Sequence, residues 1–160
     1  MRGAHLGLVL VVEDHELSRK LIERVLELEQ IEVAGADSIA AAQRALDDRV
    51  PAVIVLDLRL PDGYGLDFAR QLKSDPRTAA CVIVACTAGS SADEERLARE
   101  AGCVAYVTKP IDTPRFADLV SWLLESRAAG AAAIIRAGSA RGLGEPGDAS
   151  RSATARAGRP

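Results

Sequence analysis

At 160 residues the chain suffices for one domain with a full core and not for two. Aromatics are 3% of it, so the core must come from Val, Leu, Ile and Ala, and three cysteines without a Cys-x-x-Cys argue against a disulfide framework or a zinc site. The net charge of −3 hides an acidic body and a basic tail: from Arg127 onward six Arg stand against two acids, and before it 14 basic residues stand against 21 acidic ones.

Leu6 to Val12 is an apolar run that ends in Glu13-Asp14 with no small-residue cleavage site, so it reads as a buried strand rather than a signal peptide. No stretch approaches the roughly 18 apolar residues of a membrane span, and a cytoplasmic protein with no membrane partner is expected. Apolar residues at Leu17, Leu21, Ile22, Val25 and Leu28 give a first helix. Ile31–Ala34 is a short second strand, and Ser38 caps a helix through Leu46. Pro51 opens the central strand, Val53-Ile54-Val55-Leu56, which runs straight into Asp57 and a Pro61-Asp62-Gly63 turn. Leu66, Phe68, Ala69 and Leu72 mark a third helix that ends before Pro76. Cys81–Cys86 is a fourth strand ending at Thr87, and Ser91 or Asp93 starts a helix through Ala101 that Gly102 stops. Val104–Val107 is a fifth strand ending at Thr108-Lys109-Pro110, and Thr113 and Pro114 open the last helix. Beyond Ser126 the pattern dissolves. Residues 127–160, rich in Ala, Gly and Arg, are expected to be a disordered tail, with Ala131–Arg136 the one part able to prolong the helix.

Strands alternating with helices imply an α/β fold: a five-stranded parallel sheet with helices on both faces. The order 2-1-3-4-5 is taken from the flavodoxin-like class rather than from the sequence itself. In that topology the first, third, fourth and fifth strands end on one edge, which collects Glu13, Asp14, Asp57, Thr87 and Lys109. Clustered carboxylates repel, so they must hold a cation or a proton. All-oxygen ligands suit Mg²⁺. Lys109 can pair with a carboxylate or a phosphoryl oxygen, and Thr87 can donate a hydrogen bond. The carboxylate of Asp57 is itself the only nucleophile in view, able to form an aspartyl phosphate. Taken alone, Asp57 would read as a cap or turn residue.

The set Glu13-Asp14, Asp57, Thr87-Ala88 and Lys109-Pro110 resembles the CheY-like receiver domain of two-component response regulators, over residues 6–126. The resemblance implies a receiver domain at 1–126 and a stand-alone response regulator of a two-component system or phosphorelay. Asp57 would accept phosphate from a histidine kinase or a histidine phosphotransfer protein. Asp14 and Asp57 would ligate Mg²⁺, with the Arg59 backbone carbonyl contributing and Glu13 acting through water. Thr87 would grip the phosphoryl group and Lys109 would pair with it. Tyr106 matches the aromatic switch position that turns inward when Thr87 moves, and Lys109–Pro110 would be cis. The face of the fourth helix, fifth strand and fifth helix would meet a downstream protein, and a homodimer through it is left open. Such a protein is a signalling switch rather than an enzyme, catalysing only its own phosphotransfer and dephosphorylation. Residues 68–73 and 93–103 are similar to cell-cycle receivers of the DivK kind.

On their own residues, other readings are blander. Tyr106 is packing, Thr108 a strand residue, and His15 an exposed residue at a helix start; His5 is a lone histidine. Asp93-Glu94-Glu95-Arg96 is first a charged helix start that complements the dipole, and only second a partner contact. The tail has no aromatics for stacking, and no specific DNA binding is expected. The competing function is a receiver-like interaction module that acts without phosphorylation; such modules commonly lose an acid or the lysine, and this chain keeps both. An aspartate-nucleophile phosphatase would often show Asp-x-Asp, but position 59 is Arg. A nucleotide or flavin binder would want glycines where Glu13-Asp14-His15-Glu16 stands.

Overall fold

The computed structural model describes residues 6–129. In chain order the elements are β1 (Leu8–Val12), α1 (Glu16–Leu28), β2 (Glu32–Ala36), α2 (Ile39–Asp48), β3 (Val53–Asp57), β4 (Arg59–Leu60), β5 (Gly63–Tyr64), α3 (Gly65–Ser74), β6 (Val82–Thr87), α4 (Ala92–Glu100), β7 (Ala105–Thr108) and α5 (Thr113–Ala129). Five strands pair in parallel in the order β2-β1-β3-β6-β7. Counted among themselves, these strands have the expected order 2-1-3-4-5. The addition is a short antiparallel ribbon, β4 with β5, built where the sequence reads only as a turn.

Every residue of β1, β3 and β6 is buried, because helices cover both faces of the sheet. Alternate side chains divide two cores. Leu10, Val12, Ile54, Leu56 and Ile83 pack with Ala42 and Leu46 of α2, Leu66, Phe68 and Leu72 of α3, and Ala98 of α4. Val9, Val11, Val53, Val55 and Val84 pack with Ile22 and Leu26 of α1 and with Phe116, Val120 and Leu123 of α5. The three cysteines are buried and free, as small apolar core residues; burial pushes the thiols of Cys86 and Cys103 up to about 12.

Helix starts follow the local chemistry. Ser38 accepts from Ala41 N, and Ser91 from Glu94 N. The start of α3 lies against the end of β3: Gly65 N donates to Leu58 O at 2.8 Å, and a Cβ on Gly65 would lie 2.4 Å from Asp57 O. Gly102 ends α4 with φ +99°.

Two expectations are corrected. The second strand is Glu32–Ala36 rather than Ile31–Ala34, since the ladder with β1 continues through Val12 and Ala36. The last helix runs to Ala129, past the expected boundary at Ser126, through Arg and Ala, which are strong helix formers. The remainder of the expected tail, with Ala131–Arg136, lies outside the described residues, as does His5. The expected apolar positions of α1 form the helix but do not share one environment. Ile22 and Leu26 face the core, while Leu17, Leu21 and Leu28 are 74%, 51% and 66% exposed. Two apolar stripes share this helix, and only one can point inward. Among the described residues no helix is long and apolar enough to cross a membrane.

Candidate functional site

β1 delivers Glu13 and Asp14, β3 ends on Asp57, β6 ends on Thr87, and Lys109 follows β7. The ladder fixes their neighbourhood. Asp57 pairs with Cys86, one residue before Thr87, and Lys109 N donates to Thr87 O at 2.8 Å. Glu13, Asp14 and Asp57 each offer a carboxylate oxygen, all within 4.8 Å of one another. They form an acidic cluster able to hold a metal ion.

Asp57 is nearly buried, and its oxygens are engaged differently. Oδ1 accepts the Arg59 main-chain N–H at 3.0 Å, and Oδ2 accepts Lys109 Nζ at 3.2 Å. Lys109 also donates to Glu13 Oε2. Glu13 does not stand back at the periphery of the cluster: its side chain is buried, and Oε1 takes the N–H of His15 at 3.0 Å. Burial raises the Glu13 carboxyl above its ordinary value and Asp57 adds to this, with Lys109 and the His15 N–H only partly offsetting them. Burial draws the Lys109 ammonium down, but Glu13 and Asp57 outweigh it and its pKa is raised. Asp14 is exposed at the mouth. One lysine facing three carboxylates leaves negative charge uncompensated.

Thr87 is buried, with Oγ1 accepting Gly89 N at 3.3 Å. The Lys109–Pro110 peptide is cis. Tyr106 is more than half-buried packing: the residue is 7% exposed, and its hydroxyl reaches Gly89 O and Glu94 Oε1, both at 3.0 Å. Burial, with the Glu94 carboxylate second, pushes this phenol up to about 12. His15 is an exposed helix-start residue, as expected, and its Nδ1 accepts from Ser18 N as the cap of α1.

Sequence reasoning missed three residues around the site. Arg19 reaches back from α1 to donate to Glu13 O at 2.8 Å, tying the acidic loop to the helix. Asp62, read as a turn residue, accepts Ile39 N and Ala40 N at 2.9 Å and so caps α2 across 22 and 23 residues of chain. Glu94 was one acid in a charged helix start, yet it joins Tyr106 to Arg59. An Arg five residues after an acidic pair was the one local signal available.

The family described as the response regulator receiver domain matches residues 9–121. The chain is similar to the polar-differentiation response regulator DivK of Brucella ovis, 35% identical over 113 residues that make up 70% of this chain and 91% of that relative. In fold it is similar to the CheY-like receiver domain protein of Methanospirillum hungatei, with a TM-score of 0.71 at 19% identity, covering 76% of this chain and 96% of the other. The non-phosphorylated HemR receiver domain of Leptospira biflexa aligns at 27% identity with a TM-score of 0.66, over 73% of this chain and 93% of that one. With Glu13, Asp57, Thr87 and Lys109 gathered at one sheet edge and matches of this extent, the chain belongs to the response regulator receiver family, the signal-receiving domain of two-component systems.

Proposed function

We propose that Asp57 accepts a phosphoryl group from the phosphohistidine of a histidine kinase or histidine phosphotransfer protein, and that the phosphorylated protein signals by altered binding to another protein. The observation that carries this is the placement of Lys109 against both Asp57 and Glu13 within the acidic cluster. An Asp57 oxygen attacks phosphorus, the O–P bond forms as the histidine N–P bond breaks, and the imidazole leaves and takes up a proton. In this reading Lys109 would neutralise a phosphoryl oxygen, and the Thr87 hydroxyl would donate to another. The donor set fits Mg²⁺, since all ligands are oxygens and the uncompensated charge is negative. Asp14, Asp57 and the Arg59 carbonyl would hold it; Glu13, committed to Lys109 and His15 N, would act through water. When bound, the ion supplies positive charge for the oxygens of the transferring group.

The protein turns over no external substrate beyond its own phosphotransfer and dephosphorylation. A phosphodonor helix would meet the exposed Leu17 and Leu21, in the first turns of α1 right after Asp14. The α4–β7–α5 face would serve the downstream partner. Buried unpaired thiols support a reducing, cytoplasmic setting.

The test is intact mass after acetyl phosphate and Mg²⁺. One added phosphoryl group is expected, absent with EDTA and absent in Asp57→Ala. No adduct, even with a phosphorylated histidine donor and rapid sampling, would favour an interaction module that works without phosphate.

A further inference from the structure

Glu94 lies in the first turn of α4, and its carboxylate is engaged from two directions. Oε1 is 3.0 Å from the Tyr106 hydroxyl, and Oε2 is 3.8 Å from Arg59 Nη2. Arg59 stands two residues beyond Asp57, and its own N–H holds Asp57 Oδ1. The Tyr106 hydroxyl also reaches Gly89 O, and Gly89 N donates to Thr87 Oγ1. A circuit therefore runs from the acceptor edge through Arg59, Glu94 and Tyr106 back to Thr87. Gly89 sits inside this circuit: a Cβ there would make ordinary contacts, 3.5 Å from Glu94 Oε1 and 4.0 Å from Arg59 Nη2.

We infer that Glu94 is a positioning residue that holds Tyr106 in its inward position and tethers Arg59 beside the acceptor, so that the side-chain state of β7 is coupled to α4 and to the Asp57 edge. A phenol has one proton, and of its two acceptors the carboxylate makes the stronger, charge-assisted bond. The Arg59 side chain is largely exposed, so its pairing alone would be weak. Glu94 is only 14% exposed, so its hold on the hydroxyl is shielded and is the stronger of its two contacts. Glu95, the next residue on α4, pairs instead with Arg99. The proposed function gives this coupling its use in signalling, but the latch itself requires only these side chains.

The experiment is ¹⁹F NMR of 3-fluorotyrosine-labelled protein in a Tyr64→Phe background, which leaves Tyr106 as the single label. No phosphoryl donor is present, so the result stands apart from whether Asp57 accepts phosphate. Unsubstituted Glu94 should give a resonance far from free fluorotyrosine with a small solvent-isotope shift. Glu94→Ala should raise the outward, solvent-exposed fraction about tenfold, as expected for loss of one charged hydrogen bond. Glu94→Gln, which keeps an acceptor, should restore most of the inward signal, and Glu95→Ala should leave it in place. An unmoved resonance in Glu94→Ala would overturn the inference, and so would an equal shift in Glu95→Ala, which would mark a helix-terminus effect.

Discussion

Lys109 Nζ stands 3.2 Å from Asp57 Oδ2 while also donating to Glu13, so one ammonium is shared by carboxylates from two different strands. The two kinds of group should respond oppositely to removal. Asp57→Asn takes a like charge from a crowded site, and the metal-free protein should gain about 1 kcal/mol at pH 7. Lys109→Ala removes the ammonium paired with the buried Glu13 carboxylate and should cost about 2 kcal/mol, less than for a fully buried pair because Lys109 is partly exposed. Urea unfolding of both variants without Mg²⁺ checks this. A loss of stability in Asp57→Asn would mean that the carboxylates do not strain the fold.

Metal and proton should compete at Glu13. Its folded pKa lies above the ordinary 4.5, with burial the first cause. A raised acid favours the neutral form in the folded state, so the metal-free protein loses stability as pH rises from about 4.5 through the folded value. Mg²⁺ favours the ionised cluster and offsets that loss. The rise in Tm on adding Mg²⁺ should therefore grow with pH across this window and level off above it, and Glu13→Gln should flatten the dependence. Thermal unfolding in matched buffers with and without Mg²⁺ decides it; a pH-independent increment would place Glu13 outside the metal's influence.

The strand-end residues were legible because each ends an apolar run: Val12 gives way to Glu13, Leu56 to Asp57, Val107 to Thr108 and Lys109. Parallel topology then brings those ends together without further information. What escaped the sequence depends on long-range geometry. Nothing near Asp62 indicates that its carboxylate caps a helix more than 20 residues earlier. Nothing in Asp93-Glu94-Glu95 tells which acid turns toward Tyr106. For α1 the periodicity was correct, and it left open which face is buried. Leu17, Leu21 and Leu28 share one stripe and Ile22 and Leu26 another, and spacing alone cannot say which one meets the sheet. An apolar set wider than one face was the available sign that part of it stays outside.

That outer stripe should matter for partners and not for folding. Leu17→Ala and Leu21→Lys alter exposed side chains, so stability should stay within about 0.5 kcal/mol. Phosphotransfer from a phosphorylated histidine phosphotransfer protein should fall about tenfold or more, since apolar anchors at an interface centre carry much of its affinity. Phosphorylation by acetyl phosphate, which needs no docking helix, should be unchanged. Equal loss with both donors would instead mean that α1 substitutions disturb the Glu13-Asp14 loop, to which Arg19 ties the helix.

Asp62→Ala separates scaffold from chemistry. The carboxylate accepts two N–H groups at the start of α2, which lowers its pKa, and it sits in the segment that follows the acceptor strand. Ser38 still satisfies Ala41 N, so the helix start keeps one cap and the variant should lose a small part of its stability while α2 stays folded. A depressed carboxyl contributes stability above its unfolded pKa and loses it as pH falls through the folded value. The gap between this variant and the unsubstituted protein should thus be widest near neutrality and close below pH ~4. Asp57 keeps its own partners, Arg59 N and Lys109, so the mass adduct with acetyl phosphate should form undiminished. Its disappearance in a folded Asp62→Ala protein would show that the bridge to α2 sets the acceptor's position as well as the helix's.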